Sequence, residues 1–162
     1  MTRNKLPNKI QWNEETEKAY VQLISALMSD PVLRLFDGKK LILLRTDASD
    51  IGLGCVLMQE HEQWLPVCYA SRKLLDREKR YSTIEKECLA IVWSVKKFQL
   101  YLYGREFIIQ TDHNSLTFIN KAKFNNARVM RWSLFLQQYT FRIEEIKGKH
   151  NLEADYLSRV GF

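Results

Sequence analysis

Cysteine is scarce in this chain. Cys55, Cys68 and Cys88 are the only three, an odd number with no CxxC pair, which speaks against a disulfide framework. Each sits in an apolar stretch, so buried thiols in a reducing compartment are expected. Three prolines and six glycines leave no Gly/Ser-rich linker, and no internal repeat appears. No run of eighteen apolar residues exists, so no membrane span is expected. The Met1 end, Thr2-Arg3-Asn4-Lys5-Leu6-Pro7, lacks the apolar centre of a signal peptide, so no secretion is expected. What is abundant is core material. Apolar residues make up 46% and aromatics 12% of the 162 residues, which excludes a disordered or low-complexity chain. Twenty-five Lys and Arg against nineteen Asp and Glu give a net charge of +6, consistent with a polyanionic partner.

The pattern along the chain divides it into a leading segment, residues 1–38, and a domain, residues 39–162. In the leader, Asn13 is a plausible N-cap, and Tyr20, Leu23, Ile24, Leu27 and Met28 recur at helical spacing. Leu41–Leu44 reads as a strand buried on both faces, ending in Arg45-Thr46-Asp47. Leu53–Gln59 and Trp64–Ser71 complete a three-strand meander. Ser82-Thr83-Ile84-Glu85 is a capping box that opens one long helix to about Tyr101. Its apolar stripe is Ile84, Cys88, Ile91, Val92, Val95 and Leu102. Glu106–Thr111 is a fourth strand. Helices around 114–120 and 127–138, a fifth strand alternating through Phe141 and Ile143, and a last helix from Asn151 to Arg159 follow. The order predicts an α/β fold: a five-stranded mixed sheet, with an antiparallel three-strand meander plus two parallel strands and helices on both faces.

Four acids stand apart from solvated faces and caps. Asp47 closes the first strand and Asp112 the fourth, so both fall at the carboxyl edge, where ligands collect in open α/β sheets. Glu85 is explained by the capping box. Glu87 is not, since it shares a helix face with Ile91 and Ser94. Asp155 lies in the first turn of the last helix, where a helix-dipole acid is also ordinary. Four carboxylates meeting at one edge would repel one another unless neutralised. Hard oxygen donors of this kind suit two Mg²⁺ ions, or Mn²⁺.

These acids lie in four blocks: Thr46-Asp47-Ala48-Ser49-Asp50-Ile51-Gly52-Leu53-Gly54, Tyr81–Val92, Thr111-Asp112-His113-Asn114-Ser115-Leu116, and Asn151–Arg159. In this order and spacing the chain resembles the ribonuclease H domain of gypsy-type LTR retrotransposon reverse transcriptases. The resemblance implies an RNase H-like fold and Mg²⁺-dependent hydrolysis of the RNA strand of RNA–DNA hybrids. It implies Asp47, Glu87, Asp112 and Asp155 as metal ligands, and His113 and His150 as further catalytic candidates. Ser49, Arg72, Lys73, Asn114 and Ser115 become substrate contacts. It further implies the polymerase part of the same polyprotein as partner, residues 1–38 as a connection remnant, and a cytoplasmic retroelement complex as location.

Basic residues cluster at Arg72-Lys73, Arg77-Lys79-Arg80, Lys96-Lys97, Lys121-Lys123, Arg128-Arg131 and Lys147-Lys149. Part of the loop from Arg72 to Arg80 is expected to track phosphates. Trp93, Trp132, Phe135 and Tyr139 are expected to be core. The long helix passes directly into the fourth strand, so the basic extra helix of many cellular ribonucleases H is missing. The competing reading is a non-catalytic nucleic-acid-binding domain derived from a retroelement.

Overall fold

Five strands form one sheet in the order β3-β2-β1-β4-β5. They are β1 (Ile42–Ala48), β2 (Gly52–Glu60), β3 (Trp64–Lys73), β4 (Glu106–Thr111) and β5 (Thr140–Glu145). The computed structural model describes residues 13–28, 34–111, 126–146 and 151–160. β1 pairs antiparallel with β2, and β2 with β3. β1 pairs parallel with β4, and β4 with β5. The mixed sheet is therefore the expected one, a meander joined to two parallel strands. The direction of winding reverses at β1, which puts the switch point at the carboxyl ends of β1 and β4.

The chain forms two compact units, Met1–Leu33 and Arg34–Phe162. The first holds α1 (Glu14–Met28), whose first turn is acidic as the helix dipole favours. Thr16 and Asn13 bond reciprocally at its start, Asn13 Oδ1 accepting from the Thr16 N–H at 2.8 Å. In the second unit, α2 (Asp76–Lys79), α3 (Thr83–Lys97), α4 (Gln99–Leu102), α5 (Ala127–Leu136) and α6 (Leu152–Arg159) surround the sheet. Arg34 donates its N–H to the Pro66 carbonyl and Asp37 to the Gln59 side chain, so residues 34–37 belong with the sheet.

The strands alternate between two packed faces. On one, Ile42, Leu44, Cys55, Leu57, Phe107 and Ile109 meet Cys88, Ile91, Val92 and Val95 of α3 and Val129 and Leu136 of α5. On the other, Leu43, Val56, Met58 and Ile108 meet Leu157 of α6. Helices cover both faces, as expected. Trp93, Trp132, Phe135 and Tyr139 pack against the first cluster.

Three local expectations change. The helix from Ser82 is not continuous to Tyr101: it turns at Phe98, whose φ of −104° and ψ of 19° leave the helical region. Phe98 is 2% exposed, so burying its ring wins over helix continuation, with no Pro or Gly to signal the turn. The segment between Arg72 and Arg80 is not all loop, because α2 forms inside it. Ile84 is 40% exposed and Cys68 only partly buried, whereas Cys55 and Cys88 are fully buried.

Candidate functional site

Asp47 sits inside β1, one residue before its end, paired with Gly54 of β2. Alternation places it with Leu43 and Arg45 on the face that α6 covers. It is 4% exposed. A carboxylate so desolvated costs free energy unless cations or hydrogen-bond donors hold it. The backbone of α6 reaches this point because Gly52 and Gly54 have no side chain. A methyl group on Gly54 would overlap the Ala154 carbonyl and come within 2.5 Å of the Ser158 nitrogen. On Gly52 it would lie 2.7 Å from the Ser158 carbonyl oxygen. Ala154 and Ser158 flank Asp155, so the two glycines let the sheet bring Asp155 beside the strand that carries Asp47.

Two hydrogen bonds fix α6 against β1 at both ends. Asn151, 1% exposed, donates from Nδ2 to the Thr46 carbonyl at 3.0 Å, and its own carbonyl accepts the Asp155 N–H at 2.9 Å. The Ser49 hydroxyl donates to the Ser158 carbonyl while accepting the Gly52 N–H, which ties the β1–β2 turn to the end of α6. Ser49, expected to touch substrate, has its hydroxyl committed to this turn. Asp155 itself is 38% exposed and accepts from Arg159, one turn on, at 2.6 and 2.8 Å.

α3 delivers Glu87 from the opposite face. The capping box forms as expected, Ser82 Oγ accepting the Glu85 N–H and Glu85 accepting the Ser82 N–H at 3.0 Å. Glu85 also accepts from Arg128 at 2.9 Å and Asn126 at 3.1 Å, which joins α3 to α5. Every use of Glu85 is therefore structural. Glu87 is 2% exposed, on the face of the buried Ile91 and Ser94. Next to it, Lys86 is buried along its length and reaches Asp50 in the β1–β2 turn at 2.7 Å. That hydrogen bond, with the Lys86 charge, holds the Asp50 carboxyl below its usual range. It also pins the start of α3 to the carboxyl end of β1.

The elements bearing Asp47, Glu87 and Asp155 thus converge at one end of β1, through contacts to residues within three positions of Asp47. Asp112, His113, Asn114, Ser115 and His150 lie outside the described residues. Among the described residues, no three His, Cys, Asp or Glu side chains form a group that could hold a metal ion. The acids that these elements carry offer hard carboxylate oxygens, the donor chemistry of Mg²⁺ or Mn²⁺. Burial pushes the Cys55 thiol up to about 12 and the Cys88 thiol to about 12, with Glu87 adding to the latter, so neither is a thiolate nucleophile.

Arg72, one residue before the end of β3, forks onto Glu78 at 2.6 and 3.1 Å, with its guanidinium over Trp93. Burial pushes Glu78 up, but Arg72 and the Leu75 N–H outweigh it and hold the carboxyl low. Lys73 is exposed at the strand's end. Sequence reasoning gave no role to Asn151, Lys86 or the Gly52–Gly54 ridge. Asn151 stands where a cap belongs yet makes no side-chain cap bond; its partner is 105 positions away. Only the unusual Gly-x-Gly inside a strand hinted at a close approach of backbone.

The family described as "RNase H-like domain found in reverse transcriptase" matches residues 37–139. The chain is 45% identical over 143 residues to the retrovirus-related Pol polyprotein from transposon 297 of Drosophila melanogaster, covering 88% of this chain and 13% of that one. To the transposon Tf2-3 polyprotein of Schizosaccharomyces pombe it is 41% identical over 156 residues, covering 93% and 12%. The chain thus spans 12–13% of the length of these curated relatives. Among solved structures, the foamy viral protease-reverse transcriptase dRH in complex with double-stranded DNA superposes with a TM-score of 0.67 at 18% identity, over 85% of this chain and 27% of that one. LC11-RNase H1 in complex with an RNA/DNA hybrid gives 0.55 at 14% identity, over 72% and 92%. These structural likenesses carry the RNase H-like fold.

Proposed function

The chain belongs to the RNase H-like domains of LTR-retrotransposon reverse transcriptases, and from that premise we propose that it is a metal-dependent endoribonuclease cutting the RNA strand of RNA–DNA hybrids. The observation that carries the reading is the convergence of β1, α3 and α6 on one end of β1, with Asp47 and Glu87 almost fully buried there. Desolvated carboxylates gathered at the carboxyl edge of an open α/β sheet are candidates for chemistry. Asp47, Glu87 and Asp155, with Asp112, would hold two divalent cations, which supply an activated water and stabilise the leaving oxygen when bound. The fit rests on the donor set, all hard oxygen.

The protein's own contribution is placement. Asn151 and Ser49 hold α6 so that Asp155 stays beside β1. Lys86 and Asp50 hold α3 so that Glu87 stays at the strand's end. Arg159 sits on Asp155 as a counter-charge, which a cation bound there would replace. Hybrid recognition would run through the phosphates and 2′-hydroxyls of a wide minor groove, not through bases. The polymerase part of the same polyprotein would be the partner, in an intracellular retroelement complex, since the relatives are Pol polyproteins.

The test is cleavage of a hybrid labelled on its RNA strand, with Mg²⁺ and with EDTA. The expected result is cutting with Mg²⁺ alone, sparing double-stranded DNA and single-stranded RNA. Asp47→Asn should lower the rate by more than the roughly 10–100-fold typical of outer-shell partners, with the thermal transition preserved. Cleavage that survives Asp47→Asn and Asp112→Asn overturns the site. Hybrid binding without any cleavage by the unaltered protein establishes the non-catalytic alternative.

A further inference from the structure

A cavity of about 540 Å³ opens between α2, α3 and α5, and Asp47, Glu87 and Asp155 do not line it. Its volume lies within the range of small-ligand sites. Its lining alternates cations with aromatic rings. The Arg128 guanidinium lies 3.8 Å from the Tyr81 ring centre and 5.9 Å from that of Trp132, and the Lys96 ammonium lies 4.9 Å from that of Phe135. Tyr81 and Trp132 are tilted neighbours, 6.2 Å between centres.

The charge in this cavity is not balanced. Glu78 is the one acid among the described residues of its lining, and Arg72 already forks onto it. Arg128 is matched by Glu85. Arg77 and Arg131 are exposed and make no ion pair with a described residue, and Lys96 adds a third positive charge. Surplus cations around ring faces suit a ligand with both phosphates and exposed bases. Single-stranded nucleic acid has both. A duplex offers only its phosphates, because its bases are stacked on one another. An acidic peptide has the charge but no flat π-faces.

We propose that this α3–α5 cavity is a second nucleic-acid site that takes single strands, with a base on the Tyr81–Trp132 rings and flanking phosphates on Arg77 and Arg131. It is separate from the carboxylate end of β1 and requires no metal. It would give the domain a hold on an unpaired strand next to the hybrid.

The experiment is a titration of the whole chain in EDTA, which keeps its outcome apart from any metal-dependent cleavage. The probe is a short oligothymidylate, and the readouts are affinity and the indole N–H resonance of Trp132, assigned with Trp132→Phe. The single strand should shift that resonance. The double variant Arg77→Ala/Arg131→Ala, altered only at exposed positions, should bind about tenfold more weakly. Its log–log salt dependence should be shallower by about 1.4, for two lost phosphate contacts on a single strand. Unchanged affinity in the double variant overturns the proposal. So does a Trp132 shift of equal size from a blunt RNA–DNA hybrid, or from polyglutamate of the same charge, since neither presents free bases.

Discussion

The two faces of the sheet do different jobs with different chemistry. The face under α3 and α5 is filled by large side chains, among them Phe98, Phe107, Leu44, Ile91 and Leu102, all nearly inaccessible. The face under α6 holds a smaller apolar cluster. Beside that cluster runs a polar ladder in which Arg45 donates to Gln110 and Glu153, and Gln110 donates to Glu144. The first face keeps its helices at side-chain distance. The second lets a helix backbone down onto two glycines. A side-chain core tolerates exchange if volume and pattern are kept. A backbone-on-backbone contact tolerates nothing larger than hydrogen. Stability is therefore concentrated on one face and the positioning of Asp155 on the other.

The largest expected effect is on the packed face. Phe107→Ala should lose about 3–5 kcal/mol of unfolding free energy in urea, since it empties a site walled by Phe141 and Tyr139. Its residual activity per folded molecule should stay near that of the unaltered protein. Gly54→Ala should cost less stability, about 1–3 kcal/mol, yet lose more activity per folded molecule, because α6 must lift away from β2 beside Asp47. If both variants lose activity only in proportion to their unfolded fraction, the division of labour between the faces is wrong.

Asn151→Ala comes next. It removes the bond to the Thr46 carbonyl and should cost about 1–3 kcal/mol, as expected when a buried group loses its partner. Asn151→Asp should not rescue it, because a carboxylate cannot donate to that carbonyl. Full stability of Asn151→Ala in urea would remove this residue from the account of how α6 is held.

The sheet was legible in the sequence because its signals are local. Leu41–Leu44 is an unbroken apolar run, Phe141 and Ile143 alternate with polar residues, and Ser82 and Glu85 stand at capping-box spacing. The structural use of Glu85 was legible for the same reason, since a capping box opened by Ser82 accounts for that acid. The supports of the site were not legible. Asn151 to Thr46, Ser49 to Ser158 and Lys86 to Asp50 join residues 36 to 109 positions apart, and no periodicity encodes such pairings. The α3–α5 cavity was hidden differently: its arginines read as a charged surface and its rings as core, and only the packing of two helices set them side by side.

The smallest effect compares the two glutamates on α3 through pH. Burial pushes the Glu85 carboxyl up, but the backbone and hydroxyl of Ser82, the Arg128 charge and the Asn126 amide outweigh it. The net result lies below the ordinary value of 4.5. The folded protein therefore keeps Glu85 ionised to lower pH than the unfolded chain does. Its contribution to stability is fully present above the unfolded value and fades as pH falls from about 4.5 through the lowered folded value. Against Glu85→Gln, which keeps the shape and drops the charge, the unaltered protein should be more stable by at most about 1 kcal/mol near neutrality. That gap should hold steady down to roughly pH 5 and shrink below it, read from urea midpoints at matched ionic strength. A gap that widens on acidification would mean that desolvation, not Ser82 and Arg128, dominates at Glu85. The bonds from Ser82, Arg128 and Asn126 would then not be what sets the Glu85 charge.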